Sequence, residues 1–239
     1  MLLQASAPAT RSSKLQILVV GYHHFVTDTG NSTTDRVKEH LITFWGGHSV
    51  VEERPDHGPM LETLPGFRVL KFAPSSHRPY WIYVTLGTHA IDSGHQRLEF
   101  FLLAPQESYT HVMTLTMLAY FHADPDHRLG LGHTVNIGEP WVEERSGCRS
   151  ASVEARVRSG GSGEPHSSGC DHLLISLPYT FGPKLEWLQL PEYCVRILWA
   201  LPITAAEARF AIEKGVEALE QRFEAAGLDC LDPARNSVV

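Results

Sequence analysis

A chain of 239 residues carrying a formal net charge of −7 lacks the cationic footprint that phosphate backbones demand, so nucleic acid is excluded as the main partner. With 43% hydrophobic and 20% charged residues it has the composition of a globular protein. At this length a chain buries roughly 70% of the surface its unfolded form exposes, so it needs neither disulfide nor metal to fold.

Residues 1–13 (MLLQASAPATRSS) are small and polar and are expected to be disordered. They carry no basic stretch followed by an apolar core, so they do not read as a secretory signal. No apolar run approaches the roughly 18 residues a membrane span needs. The cytoplasm is therefore the expected location. Residues 14–239 are read as one domain.

Leu15–Val20 (LQILVV) is expected to be a buried strand. From Thr33 to Trp45, Val37, Leu41 and Phe44 recur at helical spacing. Thr33 and Thr34 offer N-cap oxygens, and Gly46-Gly47 can end the helix. Three strand-like runs follow: Phe67–Phe72, Tyr80–Leu86 and Arg97–Leu103. Their short, turn-rich links predict antiparallel neighbours. Their largely apolar character predicts a sheet covered on both faces, or on one face by helices. A second helix is predicted over Ser108–His122, from the spacing of Val112, Leu115, Leu118 and His122, ending near Asp124-Pro125.

Residues 146–170 are rich in Ser and Gly and cannot offset the entropy of ordering; they read as a mobile insertion. Strands are predicted again at Leu173–Leu177 and Cys194–Leu201. The last helix opens on Thr204-Ala205-Ala206-Glu207, a capping box in which the Thr oxygen and the Glu carboxylate each serve the other's backbone amide. Ile212, Val216, Leu219 and Phe223 continue it as one stripe to Gly227, with Gly215 inside at a cost of about 1 kcal/mol relative to Ala. The order of helices and strands predicts an α+β, mixed α/β layered domain built on a mainly antiparallel sheet.

The search for chemistry is mostly negative. Cys148, Cys170, Cys194 and Cys230 are widely spaced, without the close pairs of a zinc site. Cys194 reads as a buried thiol, and Cys148 and Cys170 could be bridged in an oxidising compartment. His23 and His24 are adjacent, so on a strand they point to opposite faces. There is no H-E-x-x-H, no G-x-S-x-G elbow and no phosphate-binding glycine loop. The His/Asp-rich segment 122–133 is the basis of an alternative reading, a metal-dependent hydrolase. Two aromatic-polar segments stand out as a rim for an extended peptide: Arg78, Tyr80 and Trp81 in the first, His133 and Asn136 in the second. No cofactor is called for.

The ordered set F-R-V-L-K-F-A-P (67–74), R-P-Y-W-I-Y-V-T-L-G (78–87), R-L-E-F-F-L-L-A-P (97–105) and G-H-T-V-N-I-G-E-P (132–140) resembles the suppressor-of-fused domain. So does the C-terminal block L-E-W-L-Q-L-P (185–191), I-L-W-A-L-P-I-T-A-A-E-A (197–208) and L-D-P-A-R-N-S-V-V (231–239). The resemblance covers most of residues 60–239. It implies a mixed α/β domain without catalytic residues. In the animal protein of that name a second domain helps clamp a transcription-factor peptide. This chain resembles the first domain only, with no length left for the second, so the clamp is not carried over. Bacterial relatives are linked to immunity against polymorphic toxins. The expectation is thus a non-catalytic protein-binding domain, of immunity or regulatory type, whose acidic charge favours a basic partner such as a toxin.

Overall fold

The computed structural model describes residues 32–46, 50–56, 58, 60–91, 96–138, 140–142, 169–232 and 234–239, the side chains at 60, 61 and 96 excepted. The expectations for 1–13, Leu15–Val20, His23-His24, Gly47, Cys148 and residues 146–168 lie outside them.

The first helix, α1 (Thr33–Trp45), forms where the apolar spacing predicts. Its cap is Ser32 rather than either threonine: Ser32 Oγ accepts from Asp35 N and Asp35 returns the bond to Ser32 N. Strand β1 (Val50–Glu53) and the short helix α2 (Met60–Thr63) follow. Strands β2 (Arg68–Phe72), β3 (Trp81–Leu86) and β4 (Gln96–Ala104) then form an antiparallel meander. Helix α3 (Tyr109–Ala123) is N-capped by Ser108, and Asp124 leads into a 3₁₀ turn at Pro125–His127. Short strand β5 (Thr134–Asn136) and β6 (His172–Ser176) pair antiparallel. Helix α4 (Pro183–Glu186), β7 (Trp187–Gln189) and the long β8 (Cys194–Ile203) complete the sheet.

The strand order is β1-β2-β3-β4-β8-β6-β5, with β7 also paired to β8. All pairs are antiparallel except β4–β8, where Leu98 faces Arg196 and Phe100 faces Leu198 in parallel register. This is an α+β domain with a mixed sheet. β4 can be parallel to β8 because the long excursion through α3, β5 and β6 supplies the crossover that a hairpin cannot.

Strand alternation splits the buried residues into two cores. On one face, Ile82, Val84 and Leu86 of β3, Phe101 and Leu103 of β4, and Val195, Ile197 and Trp199 of β8 lie under α1, α4 and the C-terminal helices. On the other, Tyr83, Phe100, Leu102, Leu198 and Ala200 lie under Val112, Leu115, Leu118 and Ala119 of α3. Both faces are covered, which is why the central strands read as continuous apolar runs.

The C-terminal helix differs from expectation. It is two helices, α5 (Ala205–Lys214) and α6 (Val216–Ala226), broken at Gly215. Gly215 has φ +93° and ψ 153°, a conformation essentially reserved for glycine. The expected stripe breaks with it, and Ile212 is 75% exposed. The capping box does form, and its Glu207 carboxylate also holds the C-terminus. It accepts from Thr204 N (2.9 Å), from Arg235 Nη1 and Nη2 (2.7 and 2.8 Å) and from Val238 N (3.1 Å). Cys194 is half-buried rather than buried, because β8 begins at the sheet rim.

Candidate functional site

The five residues expected to form a binding rim do not meet. Arg78, Tyr80 and Trp81 belong to the β2–β3 connection and the start of β3. His133 and Asn136 lie at β5, and β4, β8 and β6 stand between. At ordinary strand spacing that is about 19 Å across the sheet.

At the first location Arg78 is held inward. Its Nη2 donates to the Ala73 carbonyl at 2.7 Å, and its backbone bridges Ser75 across the turn. Burial lowers the Arg78 pKa, opposed by the nearby Tyr80. Tyr80 is half-buried against the core beneath α1, and burial raises its pKa against the opposing charge of Arg78. Trp81 lies against the opposite core, beneath α3, with the Lys71 ammonium 5.9 Å from its ring centre. Even within this group the residues point to two faces. At the second location His133 and Asn136 are exposed. Asn136 Oδ1 accepts from Gly138 N at 2.7 Å, a local turn that leaves its amide NH₂ to solvent. β5 is the last strand of the sheet among the described residues.

The His/Asp-rich segment 122–133 is divided as well. His122 is buried on the inner face of α3, edge-on to Phe100, with its Nδ1 accepting from Leu129 N at 3.1 Å. Burial drives its pKa down to about 4. Asp124 and His127 form an exposed pair 2.8 Å apart on the 3₁₀ turn. Asp124 also caps that turn through Asp126 N. Backbone hydrogen bonding, then His127, lower the Asp124 pKa. Among the described residues no three His, Cys, Asp or Glu side chains converge as a metal site.

Sequence reading passed over a buried acid as fully bonded as Glu207. Glu99 is fully buried in β4. Its Oε1 accepts from Gly87 N (2.9 Å), His89 N (3.1 Å) and His89 Nδ1 (2.6 Å), and its Oε2 accepts from Thr85 Oγ1. The other His89 nitrogen lies 3.4 Å from Thr34 Oγ1 of α1. The carboxylate–imidazole–hydroxyl order is that of an acyl-transfer triad. Here, however, the carboxylate is saturated by turn amides and His89 is 2% exposed. The arrangement clamps the turn after β3 to α1. Gly87 is required in it: at φ +116°, a Cβ there would stand 3.3 Å from Phe67 Cα. One acid inside the otherwise apolar run Leu98–Leu103 is the signal that could have found Glu99.

A second charged feature lies at the β1 end of the sheet. Lys71 bridges Glu53 (3.0 Å) and Glu107 (2.5 Å) in a cleft of about 290 Å³ closed by Tyr109. Burial works against the Lys71 ammonium, but its bonds to Glu107 and Glu53 win and raise its pKa. A larger open trough, about 430 Å³, runs between α1 and Lys184–Leu188; its one imidazole, His40, is engaged by the Leu185 carbonyl.

Comparison with known proteins accords with this fold. The family model for suppressor of fused protein (SUFU) matches residues 63–236. A suppressor-of-fused homologue from Neisseria gonorrhoeae is similar with TM-score 0.67 and 36% identity, covering 86% of this chain and 96% of that one. The Sufu–Fu complex is similar with TM-score 0.59 at 12% identity, over 86% of this chain and 91% of that one. Drosophila Suppressor of Fused gives 0.55 at 12% identity, over 84% of this chain but only 50% of its own. At 12% identity these last two show the fold alone. No match was found among curated proteins. Carried by the family match and the Neisseria homologue, the identification is direct: this chain belongs to the suppressor-of-fused family.

Proposed function

We propose that the chain is a non-catalytic protein-binding domain that neutralises or sequesters a partner protein, in the manner of an immunity or regulatory protein. The observation that carries this reading is family membership, joined to the fact that one relative of the same fold has been solved as the Sufu–Fu complex. Its buried carboxylates point the same way: Glu99 and Glu207 are consumed in holding the fold. With a net charge of −7, the domain attracts a basic partner such as a nuclease-type toxin and speeds its encounter. Arg78, Tyr80 and Trp81 on one side and His133 and Asn136 on the other are proposed as two separate contact areas. An interface of the usual size, about 1,600 Å² in total, reaches one of them and not both without wrapping the sheet.

The test is affinity capture with the tagged full chain from its own cells, followed by reconstitution from purified components. A stoichiometric, basic partner that reassembles in vitro is expected. Retrieval of no stoichiometric partner from cells in which the chain is expressed contradicts the reading.

A further inference from the structure

Helix α3 is the least polar surface element among those described. Its fifteen residues, YTHVMTLTMLAYFHA, contain no Asp, Glu, Lys or Arg. The inward face is accounted for by His111, Val112, Leu115, Leu118, Ala119 and His122. On the outer side lie Tyr109, Met113, Met117 and Tyr120, spaced four, four and three apart, with Phe121 beside them; the two methionines are half-buried, and Met117 also packs against the core beneath the helix. Tyr109 and Tyr120 are 44% and 45% exposed and Phe121 is 37% exposed. A helix apolar all round belongs in an interior. Aromatic and Met enrichment with charge depletion is also the composition of an interface centre.

Charge brackets this stripe. At its N-terminal end lie Glu53 and Glu107 on either side of Lys71, and Asp56, which accepts from Tyr109 Oη at 3.1 Å. At its C-terminal end lie Asp124 and Asp126. Arg128 there is turned inward to the His122 carbonyl at 2.9 Å, and His127 is engaged with Asp124. Among the described residues carboxylates outnumber fixed cations at both ends, with Arg54 counted beside Lys71 at the first. A second copy of the chain is a poor occupant: parallel or antiparallel, its acidic ends would meet these acidic ends. Charge complementarity selects something else.

We infer that the outer face of α3 is the docking surface for a partner's amphipathic helix, one whose apolar face lies along Tyr109, Met113, Met117 and Tyr120 and whose two ends carry Lys or Arg. This rests on the protein-binding reading above and gives it an address. From Tyr109 to Tyr120 the stripe is about 17 Å long, the length of three helical turns, and presents a ridge for helix-on-helix packing. Basic side chains at the partner's ends reach Glu53, Asp56 and Glu107 at one end and Asp124 and Asp126 at the other. At the first end they also lie against the exposed Tyr109 ring, which favours a cation over its face.

The test uses the full chain and a library of helical peptides the length of α3, with Leu and Met along one face and Lys at both ends. A matched library carries Glu at the ends. Binding is read by fluorescence anisotropy against the wild type and against Tyr120→Lys and Met113→Lys; unchanged melting temperatures verify that the variants fold. Lys-ended members should bind the wild type, lose roughly tenfold or more in affinity on Tyr120→Lys, and weaken with added salt. The inference is overturned if no member separates the wild type from Tyr120→Lys, or if Glu-ended peptides bind as well. It is overturned too if sedimentation shows a wild-type dimer that Tyr120→Lys dissociates. A captured natural partner whose affinity ignores Tyr120→Lys removes this surface while leaving the protein-binding reading intact.

Discussion

Acidification should unfold this domain through two histidines that hold α3 to the sheet. His111 is fully buried, with Tyr83 edge-on at 5.0 Å and Trp141 at 5.9 Å; His122 is buried against Phe100. Burial pushes each pKa down to about 4 from an ordinary 6.5, and the nearby Gln106 backbone only partly offsets it at His111. Between those two values the unfolded chain binds protons that the folded chain refuses, so stability falls as pH drops through that window. It is retained above the unfolded value, and the loss is complete below about 4. At about 1.4 kcal/mol per pKa unit, the loss approaches about 3 kcal/mol per histidine at low pH. At pH 5 it is about 2 kcal/mol each, or about 4 kcal/mol for both, a large part of the 5–15 kcal/mol typical of a folded domain. The assay is urea unfolding followed by Trp fluorescence between pH 7.5 and 5, comparing wild type with His111→Leu/His122→Gln. Gln at 122 retains an acceptor for Leu129 N. Carboxylates elsewhere act equally in both proteins, so the difference isolates the histidines. Parallel pH profiles for the two proteins would refute the reasoning.

Three further outcomes follow from particular contacts. Arg235→Ala leaves the fully buried Glu207 carboxylate without its cation and should cost about 3–5 kcal/mol in urea unfolding; Arg235→Met/Glu207→Met together should recover much of that. Gly215→Ala should lower the melting temperature, with a cost of about 1–3 kcal/mol from the strained backbone, whereas a continuous helix would have gained about 1 kcal/mol. Glu99→Ala strands the Gly87 and His89 amides and should speed hydrogen exchange at the turn after β3 before it affects α6.

The elements most legible in the sequence were those whose own periodicity decides them. Val37, Leu41 and Phe44 placed α1, and the apolar, turn-bounded runs that became β2, β3, β4, β6 and β8 read as strands of a covered sheet. The capping box at Thr204–Glu207 was equally local. Less legible were features set by tertiary contact. β1 and β7 are short, with intermediate burial at most positions, and are defined by their neighbours β2 and β8. Gly215 looked tolerable inside one helix because spacing alone cannot report a positive φ. The candidate rim failed to converge because sequence neighbours 80 and 81 alternate faces, while β3 and β5 are separated by strands that pair from far along the chain. Glu99 and Arg235 were hidden for a similar reason: their partners come from another strand or from the far side of α5, not from the next few residues.

The central claim, that this domain works by binding another protein, is tested most directly by capture with the full chain as bait and mass spectrometry of what is retained. The account predicts one stoichiometric, basic protein that reassembles with the purified domain and is released by salt. A bait that returns alone from cells expressing it, and binds nothing on reconstitution with their extract, would contradict the account.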